Sequence, residues 1–211
     1  MLALIAVAAL LQQETPEALF NRMEHSIEEA KSLRIKYRLD LEQGGQTATG
    51  TGIVLLKQGN KAKITLTGAK GNPWAVSDGK KLTVDANQAL IEGAELDTPK
   101  DLNLRVATKL ARWGVLDLPS FPRVIRTYGV DPKERLKVSD IKFGEKDGDV
   151  RTLTYVVQEG NGKVELKLWV DPKDLTLKKR TLSVGNLKAT VTETYEEFTV
   201  NGEIPDESFK P

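Results

Sequence analysis

The chain is expected to be a mainly β protein with helices, an α+β fold in which a strongly curved antiparallel sheet carries helices across its concave face. Three observations predict this. Apolar and charged residues alternate strictly through 33–41, as in a strand with one buried face. Alternation punctuated by turn residues returns over much of 136–200. Between these stretches the period becomes helical, with Leu102, Val106, Leu110 and Trp113 spaced four, four and three apart.

The elements follow in order. Residues 1–11 are an unbroken apolar run, shorter than the roughly 20 residues that cross a bilayer. The run resembles the core of a secretory signal, with Ala6-Val7-Ala8 as a small-residue cleavage site, although no Lys or Arg precedes it. Residues 1–13 are therefore expected to be an export signal truncated at its start, and a buried N-terminal helix is the alternative. Thr15-Pro16-Glu17 starts a helix, with Thr as cap, Pro at the first helical position and an acid in the first turn. Leu19, Phe20, Met23, Ile27 and Ala30 give it one apolar stripe, running to about Lys31.

The first strand then presents Leu33, Ile35, Tyr37, Leu39 and Leu41 on one face. Residues 52–57 and 61–67 form the next pair, with Ala62, Ile64 and Leu66 in phase. Residues 74–76 and 81–84 flank an Asp78-Gly79 hairpin turn. The helix after Thr98-Pro99 ends at Gly114, and Phe121, Val124, Ile125 and Tyr128 make a second, shorter helical face. Strands resume at 136–143, 150–158, 163–170, 175–184 and 187–200. No linker, repeat or low-complexity stretch interrupts the chain, so 14–211 reads as a single domain.

Composition excludes several classes. Lys plus Arg (31) balances Asp plus Glu (30), which argues against a nucleic-acid partner, since that needs a basic footprint. Without cysteine there is no disulfide, thiolate metal site or thiol nucleophile. The only histidine, His25, lies off the helical stripe and reads as solvent-facing. Asp147 with Asp149, and Asp171 with Asp174, sit where turns favour Asp and lack the oxygen loop of a calcium site. Neither Ser77 nor Ser183 has the Gly-x-Ser-x-Gly setting of a hydrolase, and Gly50-Thr-Gly52 reads as strand flexibility rather than a phosphate loop. No metal, cofactor or catalytic residue is expected, and a titratable cluster inside the sheet, which would point to an enzyme, is not suggested by the alternation.

The C-terminal residues carry a more specific pattern. Trp169 precedes an Asp171-Pro172 turn, the following strand runs to Arg180, and the last strand leads to Asn201 and an Ile204-Pro205-x-x-x-Phe209 close. Over about the last 45 residues this resembles the closing strands of the periplasmic lipoprotein-carrier (LolA/LolB-like) superfamily. The resemblance implies an incomplete antiparallel barrel of about ten or eleven strands, filled by helices that act as a lid. It implies a non-enzymatic protein of the periplasm or another exported envelope space, monomeric, binding acyl chains of a lipid or lipoprotein as a carrier and meeting an envelope protein transiently. The alternative is a sensor or protein-interaction module with the same fold and no lipid. The absence of Cys after the leader argues against a membrane-anchored receptor, and the superfamily's lid-latching arginine cannot be placed, so Arg34 and Arg38 carry no role.

On this basis the expected cavity lining is Ile35, Tyr37, Leu39, Ile64, Leu66, Leu102, Val106, Leu110, Trp113, Phe121, Ile125 and Tyr128. The alternative is a helix packed permanently on an ordinary core. Asn201 is expected to turn the chain after the last strand, and Pro205 to start a helical turn that swings Phe209 into the open end of the barrel.

Overall fold

The computed structural model describes residues 14–68, 72, 74–85, 95–115, 118, 131–184 and 189–210. The signal-like run 1–13, the second helical face at 121–128 and the turn at 185–186 lie outside the described residues.

Helix α1 (Pro16–Glu28) leads into strands β1 (Ser32–Gln43), β2 (Gln46–Lys57), β3 (Lys61–Gly68), β4 (Trp74–Asp78), β5 (Lys81–Asp85) and β6 (Glu95–Asp97). Helix α2 (Leu102–Arg112) and the single turn α3 (Pro132–Arg135) follow. Strands β7 (Leu136–Phe143), β8 (Arg151–Glu159), β9 (Gly162–Val170), β10 (Leu177–Val184) and β11 (Ala189–Val200) precede a closing 3-10 turn, Asp206–Phe209. The 11 strands of the described residues join one antiparallel sheet ordered β6-β5-β4-β3-β2-β1-β11-β10-β9-β8-β7. The first and last strands of the chain's two runs thus meet at the centre, while β6 and β7 are its edges. This is an open antiparallel barrel with helices on its inner face.

The sequence placed most elements within a few residues. Thr15 caps α1 by accepting a hydrogen bond from the Ala18 amide at 3.1 Å, and the helix ends three residues earlier than its stripe suggested. Strand β2 starts at Gln46 rather than Gly52, because cross-strand pairing with β1 is continuous from Gln43↔Gln46 onward. Polar residues on both faces of 46–51 hid that pairing from a search for alternation. The three-residue strand β6 was not anticipated.

Two extra residues set the phase of the last strands. Lys36 faces Glu197 while Tyr37 faces Tyr195, so Glu196 bulges from β11. Leu177 faces Val170 while Lys179 faces Trp169, so Lys178 bulges from β10. Each bulge flips the side-chain parity of its strand and sharpens its bend. Consequently Val191, Glu193 and Tyr195 share the inner face with Phe198, three positions later, and Leu177 shares it with Arg180.

One core fills the inner face: Leu33, Ile35, Val54, Ile64, Leu82, Leu153, Leu168 and Leu182 meet Leu19, Phe20, Met23 and Ile27 of α1 and Leu102, Val106 and Leu110 of α2. Phe20 stands edge-on to Tyr155 with ring centroids 5.1 Å apart. Among the described residues no helix is long and apolar enough to cross a membrane.

The chain's end departs from expectation. Asn201 does turn the chain, at φ 60°, and its side chain accepts a hydrogen bond from the Lys31 amide at 2.8 Å. Phe209 is buried, but with Leu55 and Ile204 in a small separate cluster. Leu55 lies between the core residues Val54 and Leu56 and so points to the outer face of β2. The closing turn therefore covers the outside of the sheet and not the barrel's open end. Lys57 and Lys61 hold it there by hydrogen bonds to Asp206 at 2.6 and 2.5 Å, which keep that carboxyl near pKa 2.

Candidate functional site: the interior beneath helix α2

Helix α2 lies over the inner face of the sheet, with Leu102, Val106 and Leu110 buried beneath it. Of the expected lining, Ile35, Tyr37, Leu39, Ile64, Leu102, Val106 and Leu110 are buried in one cluster, and Leu66 and Trp113 pack against it half-buried. The structure thus brings nine of the named residues together, and Phe121, Ile125 and Tyr128 lie outside the described residues.

What the sequence did not reveal is how α2 is fastened. At its start, the Asn103 side chain donates to the Lys57 carbonyl at 2.6 Å, and the Asn60 side chain donates to the Lys100 carbonyl at 2.8 Å. Both ties run to the β2–β3 hairpin. At its end, the carbonyls of the last turn have no partner within the helix. Arg180 supplies two, its guanidinium donating to Leu110 O at 2.7 Å and Ala111 O at 2.8 Å. The Tyr155 hydroxyl donates to Arg112 O at 3.1 Å. A cation at the negative end of a helix dipole adds to these bonds.

Arg180 and Glu193 are register partners on β10 and β11 and both are fully buried. Their closest nitrogen–oxygen distance is 3.8 Å, because each carries out its own task on the helix end. Glu193 accepts from the Val115 amide at 2.9 Å and from the Tyr195 hydroxyl at 2.5 Å. Gly114 lies directly on this pair at φ 114°, and a Cβ there would stand 2.4 Å from the Glu193 carboxylate and 2.7 Å from Arg180. Only glycine meets both the backbone angle and the clearance. Burial works against the guanidinium's charge, but Tyr155, Tyr195 and Glu193 around it hold its pKa above the usual arginine value.

The outer side of α2 is stitched as firmly. Arg112 forms a two-pronged pair with the buried Glu24 of α1 and donates to Leu136 O at 2.7 Å. Thr108 donates to Glu28 at 2.8 Å, and Lys133 of α3 reaches the same carboxylate at 2.7 Å. Helices α1 and α2 are thereby one unit.

A titratable cluster does therefore sit inside the sheet, against the sequence expectation. Its signal was present: Glu193 interrupts the inward series Ala189, Val191, Tyr195, and Arg180 falls inward once the Lys178 bulge is counted. The donors and acceptors described above are turned to the helix backbone and to one another. Among the described residues no group of His, Cys, Asp and Glu could hold a metal ion. His25 is exposed. Asp171 and Asp174 accept the amides of Lys173 and Thr176, each at 2.9 Å, as turn residues do.

Tyr37 crosses strand β2 to donate its hydroxyl to Thr65 O on β3 at 2.8 Å. Gly52 lies beneath the ring, where a Cβ would meet Thr65 O at 2.1 Å and the Tyr37 hydroxyl at 2.3 Å. Of the glycine pair read as flexibility, Gly52 is therefore clearance for an aromatic ring. A polar cleft of about 310 Å³ near the β1–β2 turn is lined by Arg38, Asp40, Glu42 and threonines including Thr47 and Thr49. Its Asp40 already accepts from Arg38 and Thr49, and its lining does not suit an acyl chain.

The tyrosines of this interior make a measurable signature. Burial raises the phenol pKa of Tyr37, Tyr155 and Tyr195. In the unfolded chain they ionise at about pH 10, while the folded protein keeps their protons. Above about pH 10 the native state binds more protons than the unfolded one, so stability falls as pH rises, by about 1.4 kcal/mol per unit for each tyrosine. Below that pH their contribution is complete. Absorbance at the phenolate band should show these three silent in the native protein at alkaline pH and ionising only as it unfolds. Ordinary titration of all three in the folded state would contradict their burial.

No protein-family profile matches the sequence, and no curated protein does. Solved structures do. A LolA superfamily protein from Nitrosomonas europaea is 11% identical, with 93% of this chain and 98% of that one covered at a TM-score of 0.41. A putative outer membrane lipoprotein-sorting protein domain from Vibrio parahaemolyticus is 8% identical, covering 92% and 95% at 0.35. The Pseudomonas aeruginosa MucA/MucB complex supplies a third, 11% identical, covering 93% of this chain and 60% of that one at 0.46.

Proposed function

We propose that this protein is a non-enzymatic carrier of the cell envelope that holds acyl chains of a lipid or lipoprotein between α2 and the sheet's inner face. The observation that carries the reading is the way α2 closes that face. Apolar Leu102, Val106 and Leu110 lie inward, while the ties of α2 to the sheet gather at the helix ends, on Asn60 and Asn103 at one and Arg180, Tyr155 and Glu193 at the other. That link to the sheet is released by breaking a few hydrogen bonds. Transferring about 300 Å² of acyl surface from water gives about 7 kcal/mol, enough to offset several of them. An exported location rests on the apolar run 1–11, and the carrier is taken to act as a monomer that meets envelope partners transiently.

Native mass spectrometry after detergent-free purification, followed by lipid extraction, tests the proposal. Co-purifying acyl species and displacement of a fluorescent fatty acid are expected; neither being found would end it. The second reading, a sensor or interaction module with a self-filled interior, is favoured by the complete burial of Ile35, Ile64, Val106 and Leu110. Trp113→Ala separates the two. The carrier should lose ligand affinity, whereas a packed interior should mainly lose about 3–5 kcal/mol of stability.

A further inference from the structure

The outer face of β7–β10 has no part in this interior. Register places Lys137 of β7 beside Gln158 and Lys163, and Lys142 beside Thr154 and Lys167. Trp169 lies beside Lys179. All point away from the core, since Leu153, Tyr155 and Val157 of β8 and Leu166, Leu168 and Val170 of β9 take the opposite phase. Lys137, Lys142 and Lys163 are exposed, and Lys167, Trp169 and Lys179 are half-buried. Among the outward register positions of β8 and β9 the only carboxylate is Glu165.

The centre of this face is a single indole. The ammonium groups of Lys167 and Lys179 stand 4.8 and 4.9 Å from the Trp169 ring centre. They come from neighbouring strands and have no ion pair among the described residues. Two like charges converge on one ring, drawn by its π face and left without a counter-ion. We propose that this face docks on the anionic headgroups of a lipid bilayer. Trp favours the headgroup level of a membrane, lysines keep their charge in the polar layer while their stems lie along apolar surface, and anionic lipid supplies the missing counter-charge. A nucleic acid is the poorer fit, because the whole chain carries only +1 and such partners require a basic field over the domain. The inference does not depend on what the interior holds.

Co-sedimentation of the full chain with phosphatidylcholine vesicles containing about 30% phosphatidylglycerol tests it, with pure phosphatidylcholine as reference. Binding is expected only to the anionic vesicles and should weaken as salt shortens the screening length. Lys167→Gln with Lys179→Gln should weaken it about 25-fold, at about 5-fold per lysine, with unchanged thermal unfolding. Trp169→Leu should abolish the blue shift of tryptophan emission on binding. Equal binding by the double variant, equal binding to the neutral vesicles, or retention by heparin without retention by vesicles would each overturn the proposal.

Discussion

Arg180→Met is expected to cost about 3–5 kcal/mol of folding free energy, because it strips a fully buried carboxylate of its neighbouring cation. Met approximates the aliphatic stem of the arginine, so little of the loss is cavity. The variant leaves Glu193 buried, and it leaves Leu110 O and Ala111 O without the guanidinium that now reaches them at 2.7 and 2.8 Å. Glu193→Gln should cost less, about 1–3 kcal/mol, since an amide still offers an oxygen to the Val115 amide and the Arg180 cation it leaves keeps the helix-end carbonyls of Leu110 and Ala111. The double variant Arg180→Met with Glu193→Leu distinguishes charge from fastening. Removing both charges should recover the part due to the stranded carboxylate. The uncapped carbonyls should keep it below the parent by about 1–3 kcal/mol. Denaturant midpoints supply the totals, and hydrogen exchange at the α2 amides should show the loss concentrated in the last turn. A single variant within about 1 kcal/mol of the parent, with α2 exchange unchanged, would remove the latch from the argument.

This latch also marks where sequence reading stops. The strands were legible because period-two alternation follows directly from burying one face. Leu33 to Leu41 on β1 and Leu166 to Val170 on β9 show it plainly. The α2 stripe was legible for the same reason at a different period. Parity across a bulge was not, because whether Glu196 and Lys178 count in the ladder is decided by the neighbouring strand. With Lys178 left in phase, Arg180 reads as one more charge in a basic run. With it bulged out, Arg180 turns into the core. The backbone carbonyls it serves carry no sequence identity at all, so no motif could have announced them. The buried positions of the interior were legible because burial is a side-chain property, while the fastening rests on main-chain groups.

Phe209 and Trp169 make the complementary point. Both were read as parts of one C-terminal pattern, and the pattern placed the strands and the Asn201 turn well. It could not assign faces. Phe209 covers the outside of β2 with Leu55 and Ile204, and Trp169 lies on the outside of β9 between two lysines. Aromatic residues near strand ends look alike in sequence whether they close a core or furnish an exterior. Only register against the neighbouring strand separates them.

Gly52→Ala tests the inner face at a point where no charge is involved. A methyl at this position would lie 2.1 Å from Thr65 O and 2.4 Å from the ring carbon bearing the Tyr37 hydroxyl, against the roughly 3.5–4.0 Å of an unstrained contact. Neither neighbour is free to yield. Thr65 O belongs to the β2–β3 ladder, and Tyr37 is 1% exposed and tied through its hydroxyl to that same oxygen. A cost of about 3 kcal/mol or more is therefore expected, at the upper end for overpacking. Gly50→Ala is the control on the same face of the same strand. Its nearest neighbours, Leu66 Cδ1 at 3.0 Å and Thr67 O at 3.2 Å, include a flexible side-chain end, and it should cost less than about 1.5 kcal/mol. Tyr37→Phe should cost about 1 kcal/mol for the lost hydrogen bond and should not rescue Gly52→Ala, because the ring and the carbonyl remain. If Gly52→Ala and Gly50→Ala unfold at the same denaturant concentration, Tyr37 has room to move and is no fixed wall of the interior. If they separate as expected, the floor beneath α2 is rigid at Tyr37, and any opening of the interior must come from the helix side, where Arg180 and Asn103 hold it.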